Sequence, residues 1–232
     1  MSLKSFIKNS DHSDRYFFKL NSKEIISEIN DTLIENFPNC KFKDLSEIHK
    51  IIKENQINEY RLNCFHDINK IPDLKKKIFD AITPQIFPIL GMDIAIQKNL
   101  NLSIQMPNDK FSILDKHIDY ESGDSPFQWV LWIPLTNSFE TNSMFMRDSD
   151  GSYNPLKLQK GEFLLFDPNT YHGNIVNKTT KTRVSINIRL KNWFAPDIGE
   201  RVPDRQHGIY YEDFCFTEST LRAFKMVKNT IK

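Results

Sequence analysis

The sequence predicts a mainly β fold with flanking α-helices, built on an antiparallel jelly roll or barrel. Before about residue 95, apolar residues recur mostly with the period of amphipathic helices. After it, they alternate with polar residues or form the short apolar runs of buried strands. Turn-forming segments such as Asp150-Gly151 and residues 167–169 separate these runs, a pattern typical of antiparallel barrels.

The length and composition of the chain suit a single domain. With 232 residues, of which 39% are hydrophobic, the chain can bury one sizeable core. We expect residues 1–95 to form mainly helical support and residues 96–192 to form the β core. Residues 193–232 are then a C-terminal loop and helix.

Three segments before residue 95 have helical periodicity. Residues 21–22 can cap the first helix and Asp44 the second. The third spans residues 73–89, where Pro84 and Pro88 are expected to kink or break it. The apolar positions of the first two helices are Ile25, Ile26, Ile29, Leu33, Ile34, Leu45, Ile48, Ile51 and Ile52.

Five later segments are predicted to be strands. Residues 94–96 and 102–106 are β-like, and residues 129–133 form a fully apolar run of strand length. Residues 162–166 form another apolar run, and residues 182–190 alternate polar with apolar side chains. These segments would supply the barrel.

The C-terminal residues 217–231 are predicted to form a helix. In it, Leu221, Phe224 and Val227 recur every three residues and are expected to face inward. The helix would then pack on the rest of the domain.

Charge and targeting signals give no indication of a macromolecular partner. The formal net charge is +1, so no nucleic acid is expected, although none is excluded. No apolar stretch reaches the length of a membrane helix and no secretory leader is recognisable, so we expect a cytoplasmic protein with no membrane contact. Cys40, Cys64 and Cys215 suit reduced thiols with no chemical role.

A candidate metal site combines two histidines with one aspartate. On an extended backbone, His117 and Asp119 point to the same face. His172 follows an apolar strand and a turn that can return it across a barrel. A His-x-Asp triplet alone is more often a solvated strand end, so His172 carries the prediction. Two histidines and one carboxylate leave three positions open on an iron ion, as in non-haem iron(II) oxygenases.

Arg183 adds a candidate carboxylate-binding group. It lies eleven residues after His172, near the start of the alternating strand. Its planar, permanently charged guanidinium suits bidentate capture of a carboxylate. Ser185 lies on the same face and can reach the same carboxylate. Arg189 has the same parity and is the competing candidate, while the alternative for Arg183 is a surface ion pair with a glutamate.

The order and spacing of these motifs resemble the Fe(II)/2-oxoglutarate dioxygenase superfamily, especially its phytanoyl-CoA hydroxylase-like branch. The resemblance covers about residues 100–190, with the successive motifs HID, WVLWIPL, KGEFLLFDPNTYHG and TRVSINIRL. In that branch, a strand of the type W-x-P-L follows the first metal ligands. A K-G-D strand then precedes a His-Gly turn, and an arginine follows about eleven residues later.

The resemblance implies a double-stranded β-helix, the cupin-like jelly roll, around an iron(II) centre. It implies that His117, Asp119 and His172 bind the iron. It further implies that Arg183, together with Ser185, binds the distal carboxylate of the cosubstrate 2-oxoglutarate. Dioxygen is the second cosubstrate.

Some positions differ from the family pattern or leave a choice open. The resemblance suggests that Trp132 walls the cosubstrate pocket, with a core aromatic as the equal alternative. Residues 142–148 lack the serine-histidine segment of the family, so no substrate contact is carried over. Glu162 replaces the usual aspartate of its strand. Asp119 keeps the carboxylate that related halogenases lack, which favours hydroxylation over halogenation.

The expected activity is hydroxylation of a C–H bond in a small polar metabolite, such as a sugar or a secondary-metabolism intermediate, with release of succinate and CO2. Desaturation, cyclisation or epimerisation at the same centre is an alternative. A cupin-like metal-dependent sugar isomerase or epimerase, or a non-catalytic ligand-binding jelly roll, is a more distant one. The helices before residue 95 are expected to cover the barrel mouth together with residues 120–128 and 193–211, which include Arg201, Arg205 and Tyr210. The sequence indicates no oligomeric state.

Overall fold

The computed structural model describes residues 13–20, 22–35, 44–196 and 208–230. Within them, ten strands form two antiparallel sheets. The strands are β1 (Arg15–Lys19), β2 (Ile94–Gln97), β3 (Asn101–Gln105), β4 (Gln128–Pro134), β5 (Phe145–Arg147), β6 (Tyr153–Pro155), β7 (Glu162–Phe166), β8 (His172–Gly173), β9 (Arg183–Asn192) and β10 (Tyr211–Cys215).

The larger sheet is organised around β9. Its strand order is β1-β7-β4-β9-β2-β10, and β3 also pairs with β9. One edge of β9 pairs with β4, while the other pairs with β3 at the start of the strand and with β2 at its end. The smaller sheet has the order β6-β5-β8. All five predicted strands are present in the larger sheet, whereas β1, β10 and the three strands of the smaller sheet were not predicted.

The alternating pattern of β9 divides its side chains between two environments. Val184, Ile186, Ile188 and Leu190 are buried in the large core that the sheet shares with the helices. The odd-numbered positions from Arg183 to Arg189 face the other way. A second apolar cluster lies on that side, between the two sheets, and comprises Val130, Trp132, Met144, Met146, Leu156, Leu158, Leu164 and Phe166.

The N-terminal helices cover the outer face of the larger sheet. Helix α1 (Lys23–Glu35) buries the predicted positions Ile25, Ile26, Ile29 and Leu33. The hydroxyl of Ser22 accepts the Ile25 N–H at 3.4 Å, while residue 21 lies outside the described residues.

The predicted second helix is only a short 3₁₀ turn. It spans Leu45–Lys50, and the Asp44 carboxylate caps it by accepting the Ser46 N–H at 2.9 Å. Helix α2 (Ile57–Ile68) follows and was not predicted. Its buried side chains are Ile57, Tyr60, Cys64 and Ile68, too few apolar positions to stand out in the sequence.

Helix α3 (Leu74–Leu90) corrects a prediction, because it continues through Pro84 and Pro88. A proline inside a helix costs about 3 kcal/mol. Burial of one large apolar side chain contributes about 1.5–3 kcal/mol, so a fully apolar face can outweigh both prolines. The buried residues of α3 are Leu74, Ile78, Phe79, Ile82, Ile86 and Leu90.

Helix α4 (Glu218–Thr230) forms where a C-terminal helix was predicted, but its orientation differs from the prediction. Leu221, Phe224 and Val227 are 38%, 37% and 55% exposed, so they do not face a core. The Phe224 ring contacts the indole of Trp193, with centroids 5.0 Å apart. The three-residue spacing indicated the helix correctly but did not indicate which face is buried.

The described part of the chain contains two free cysteines. Cys64 is buried and Cys215 is half-buried, whereas Cys40 lies outside the described residues. Burial raises the pKa of the Cys64 thiol to about 12, which keeps it protonated near neutral pH. Among the described helices, none is both long enough and apolar enough to cross a bilayer.

Candidate metal centre

His117 and His172 are held together by their own backbones. The His117 N–H donates to the His172 carbonyl at 2.9 Å, and the His172 N–H donates to the His117 carbonyl at 2.9 Å. Ile118 between the two predicted ligands is extended, with φ −114° and ψ 141°. His117 and Asp119 therefore point to the same side, as their spacing predicted.

The three polar side chains converge on one point. Their ligand atoms all lie within 4.8 Å of one another, and the group could hold a metal ion. The Asp119 Oδ1 lies 3.5 Å from the His117 Nε2 and 3.6 Å from the His172 Nε2. Donor atoms about 2.0–2.2 Å from one ion lie roughly 3–3.5 Å apart, so little adjustment is needed to bind one.

Backbone carbonyls fix the tautomer of both histidines. The Nδ1 of His117 lies 2.7 Å from the Asp115 carbonyl, and the Nδ1 of His172 lies 2.9 Å from the Thr170 carbonyl. Because a carbonyl only accepts, each Nδ1 carries the proton and each Nε2 presents its lone pair to the centre. This arrangement is typical of histidine metal ligands.

The charges at the centre favour an ionised carboxylate. Burial alone would raise the pKa of Asp119, but the hydrogen bond to His117 and the positive charge of Arg189 lower the pKa to about 2. Burial lowers the pKa of His172, so its imidazole tends to be neutral. The pKa of His117 is raised because its charged form can donate a hydrogen bond from Nε2 to Asp119, and a bound metal would take the place of that proton.

Arg189 is held by two carboxylates and an amide, although its Nε makes no hydrogen bond. Its Nη2 donates to the Asp119 Oδ2 at 3.2 Å, and its Nε lies 3.6 Å from the Asp124 Oδ2. Its Nη1 donates to the Asn187 Oδ1 at 2.5 Å. These contacts leave little of the guanidinium fork for a ligand.

Arg183, in contrast, has no carboxylate partner among the described residues. The residue is 4% exposed, and its Nη2 donates to the Ser103 hydroxyl at 3.2 Å. Its Nε has no hydrogen-bond partner, and burial lowers the pKa of the guanidinium to about 10. Ser185 is fully buried and its hydroxyl also lacks a partner. The predicted carboxylate-binding pair is thus unsatisfied.

A single cavity of about 310 Å³ joins Arg183 to the metal centre, whereas Ser185 is not among the residues that line it. The three candidate ligands, Arg183 and Arg189 line it, and so does the Trp132 ring, which also belongs to the apolar cluster between the sheets. Trp132 can therefore be both a wall of the cavity and a core aromatic residue. Its other lining residues are Arg61, Leu102, Ser103, Ile104, Phe111, Ser112, Ile113, Leu114, Val130, Met144, Phe166, Gly173, Asn174 and Asn187.

Residues 111–114 form one rim of the cavity, which sequence reasoning missed. The Leu114 N–H donates to the Asn174 Oδ1 at 2.5 Å, and the Asn174 Nδ2 donates to the Ser112 carbonyl at 3.0 Å. The buried Asp109 accepts the Phe111 N–H at 2.8 Å. Asn174 lies two residues after His172, so the spacing that linked His117 to Asp119 would have indicated it.

Gly173 allows this rim to approach the metal centre. A Cβ atom at this position would lie 2.8 Å from the Leu114 carbonyl oxygen and 3.1 Å from the Asp115 carbonyl oxygen. The Asp115 carbonyl is the group that orients His117. Glycine is therefore required by close backbone packing rather than by an unusual φ angle.

Of the segments predicted to cover the mouth, the two loops contribute nothing to the cavity where they are described, whereas the helical region before residue 95 contributes Arg61. Among residues 120–128, 193–196 and 208–211, none lines it. Arg201 and Arg205 lie outside the described residues. Arg61 enters from helix α2, which no sequence pattern had indicated, and its Nη2 donates to the Ile104 carbonyl at 2.8 Å.

Several solved structures have a similar fold. One described as CytC3 with Fe(II) and alpha-ketoglutarate superposes with a TM-score of 0.54 at 15% identity, over 90% of this chain and 80% of that chain. The non-heme alpha ketoglutarate dependent carbocyclase SnoK from nogalamycin biosynthesis gives 0.53 at 12% identity, over 82% and 83%. The non-heme monooxygenase ThoJ, in its apo form, gives 0.51 at 16% identity, over 92% and 90%. These likenesses confirm the predicted fold class.

The sequence itself has limited similarity to known proteins. No family model matches it. Over 74 residues it is 34% identical to the streptomycin biosynthesis protein StrG of Streptomyces griseus, a match that covers 32% of this chain and 35% of StrG. The aligned part is thus about a third of either protein, and the phytanoyl-CoA hydroxylase-like branch stays a prediction.

Proposed function

We propose that this protein is a non-haem iron(II) and 2-oxoglutarate dependent oxygenase that hydroxylates a C–H bond of a small metabolite. One observation carries the proposal. The buried guanidinium of Arg183, which has no carboxylate partner among the residues that the structure describes, lies in the same cavity as the converging side chains of His117, Asp119 and His172.

The donor set fits iron(II). His117 and His172 would each present a neutral Nε2, and Asp119 one carboxylate oxygen, with three positions of the metal left open. Iron bound there would supply the oxidising chemistry when 2-oxoglutarate and dioxygen join it. Overall, the substrate C–H bond becomes an alcohol, while the cosubstrate becomes succinate and CO2.

The other end of the cavity fits the distal carboxylate of 2-oxoglutarate. A buried unpaired charge is costly, and an incoming carboxylate would pair it through two charge-assisted hydrogen bonds. Ser185 would donate its unused hydroxyl to the same carboxylate, and Ser103 steadies the guanidinium. Arg189 does not compete for this role, because its guanidinium is already paired with the carboxylates of Asp119 and Asp124.

The remaining walls would orient the reactants and exclude water. Val130, Trp132, Met144 and Phe166 give the inner cavity an apolar lining. At about 310 Å³, the cavity is at the lower end for ligand sites, so it suits the cosubstrate with the reacting part of a small substrate. The rest of the substrate would lie against the rim at residues 111–114.

The substrate we propose is a small polar metabolite of a secondary pathway. StrG and SnoK are named for antibiotic biosynthesis, which supports this class. Arg61, Asn174 and Asn187 add hydrogen-bonding groups to the cavity wall beside the apolar ones.

Anaerobic titration of the metal-free protein with iron(II) and 2-oxoglutarate tests the proposal. A weak visible charge-transfer band should appear in the wild type and in the control Arg222→Gln, whose side chain is exposed on α4. It should be lost in Arg183→Gln at moderate cosubstrate concentration, while iron binding persists. Iron binding without the band in the wild type would contradict the oxygenase and favour a cupin-like isomerase.

A further inference from the structure

Arg189 has no role in the function proposed above, although it lies on the cavity face of β9 and lines the cavity beside the metal centre. Its side chain is only 14% exposed. It contacts Asp119 and Asp124 and no other carboxylate among the described residues. A buried arginine held against a candidate metal ligand calls for a physical reason.

The contacts of Asp119 divide its two oxygens between different partners. Oδ1 faces the Nε2 atoms of His117 and His172, at 3.5 and 3.6 Å. Oδ2 accepts the Nη2 of Arg189 at 3.2 Å. One oxygen thus faces the position where a metal would lie, and the other is held away from it.

A tight turn brings the second anchor of Arg189 into place. Residues Asp119–Ser122 form a 3₁₀ turn that ends at Gly123, whose φ of 95° reverses the chain. The Asp124 N–H then donates to the Asp119 carbonyl at 3.2 Å. As a result, two carboxylates five residues apart approach the same guanidinium, which fixes its position.

We infer that Arg189 is a positioning residue that restricts Asp119 to metal binding through Oδ1 alone. This inference rests on the proposed function, because it requires a metal at the centre. A carboxylate with both oxygens free can bind a cation through either one or both. Binding through both would occupy one of the three positions that a bidentate cosubstrate and dioxygen need. The charge-assisted hydrogen bond to Oδ2 prevents this.

The inference distinguishes Arg189 from Arg183 in a measurable way. Arg183 acts on the distal carboxylate of 2-oxoglutarate, whereas Arg189 keeps the chelating positions open. Oxalate occupies the same chelating positions and has no distal carboxylate. Loss of Arg189 should therefore lower the affinities for oxalate and for 2-oxoglutarate by a similar factor. Loss of Arg183 should lower the affinity for 2-oxoglutarate alone.

Cobalt(II) is the probe, because its visible absorption reports the number of ligands and does not require catalysis. The wild type, Arg189→Gln and Arg183→Gln are titrated with cobalt(II), and then with oxalate or 2-oxoglutarate. Replacing Arg189 by glutamine should change the visible spectrum of bound cobalt(II) in the absence of a chelator. It should also lower the affinities for oxalate and 2-oxoglutarate at least tenfold. Arg183→Gln should leave the cobalt spectrum and the oxalate affinity unchanged.

A second variant controls for the possibility that Arg189→Gln fails to fold. Arg189→Gln removes the ion pairs of Arg189 with Asp119 and Asp124. The double variant Arg189→Gln/Asp124→Asn is therefore compared with Asp124→Asn alone, and thermal unfolding is followed for each. Arg189→Lys should give chelator affinities between those of the wild type and the glutamine variant.

Three outcomes decide the matter. A changed spectrum with weakened oxalate binding in the folded double variant supports the inference. A wild-type spectrum and wild-type oxalate affinity in that variant overturn it, while the proposed function stands. A wild-type protein that binds no cobalt(II) and no iron(II) overturns both.

Discussion

The two ends of the inner face of β9 carry the same residue type in opposite situations. Arg183 and Arg189 are six residues apart, which places them roughly 20 Å from each other along one strand. Both line the same cavity. Within the described part of the chain, Arg189 contacts two carboxylates, whereas the recorded side-chain partner of Arg183 is the Ser103 hydroxyl.

The difference shows that the surroundings of a buried guanidinium, and not its residue type or its face, determine its role. Where the protein supplies the carboxylates, the arginine orients a protein group. Where the protein supplies none, the unpaired charge favours an external anion. The strand thus has a metal end near Arg189 and a carboxylate end near Arg183.

Replacing Arg183 by glutamine should have the largest effect and should be confined to the carboxylate end. We expect the affinity for 2-oxoglutarate to fall about 100-fold, because hydrogen bonds to charged groups contribute about 1.5–3 kcal/mol. Calorimetric titration of the metal-loaded protein under anaerobic conditions measures it, with Arg222→Gln as the control. An equal loss of metal affinity would abolish the distinction between the ends.

Gly173→Ala should affect the metal end. Its Cβ would lie 2.8 Å from the Leu114 carbonyl oxygen, and the displaced segment carries the Asp115 carbonyl that orients His117. We expect metal affinity to fall about tenfold and the free energy of unfolding to fall by about 1–3 kcal/mol. Metal titration and chemical denaturation measure the two effects. Gly161→Ala and Gly208→Ala are controls for backbone strain alone, because both glycines have a positive φ and no atom lies within 4 Å of the added Cβ.

Ser103→Ala tests the support of Arg183 at the carboxylate end. The hydroxyl accepts the Arg183 Nη2 at 3.2 Å, and one such hydrogen bond contributes about 1 kcal/mol. We expect the affinity for 2-oxoglutarate to fall by about fivefold with metal affinity unchanged. The same titration as for Arg183→Gln measures it, and a loss of metal affinity without a loss of cosubstrate affinity would contradict the assignment.

Ser185→Ala should give the smallest effect. It should stabilise the cosubstrate-free protein but weaken the binding of 2-oxoglutarate. Its buried hydroxyl has no partner in the cosubstrate-free protein, so its removal should raise the free energy of unfolding by up to about 1 kcal/mol. In the presence of 2-oxoglutarate, the variant should bind a few-fold more weakly. Thermal unfolding with and without the cosubstrate shows whether the sign reverses.

Short-range spacing predicted much of the candidate site. Because the backbone at Ile118 is extended, the side chains of His117 and Asp119 point to the same face. The turn before His172 brings this residue back beside His117. Strand parity also placed Arg183 on the cavity face. These relations depend on a few neighbouring residues, so a sequence shows them.

The alternation of side chains along the strand could not show which arginine binds the carboxylate, because Arg183 and Arg189 lie on the same face. The distinction depends on Asp124, which reaches Arg189 through the turn at Gly123. Arg61 and the rim at residues 111–114 were missed for the same reason, since tertiary packing brings them to the cavity.

The fold shows the same division between local pattern and packing. Alternation predicted β9, but β1 and β10 were missed because each depends on a distant partner, β7 and β2 respectively. The apolar face of α3 outweighs Pro84 and Pro88, which a local rule treats as breaks. In α4 the periodicity is present although the face has no core to cover.

The paired backbone hydrogen bonds between His117 and His172 have a consequence for metal exchange. Both amide protons are hydrogen-bonded by the fold itself, so they should exchange slowly with deuterium in the metal-free protein. A preformed site of this kind differs from a zinc finger, which folds only around its metal. Chelators should therefore strip and return the metal reversibly, leaving a folded protein whose cavity is ready to be reloaded.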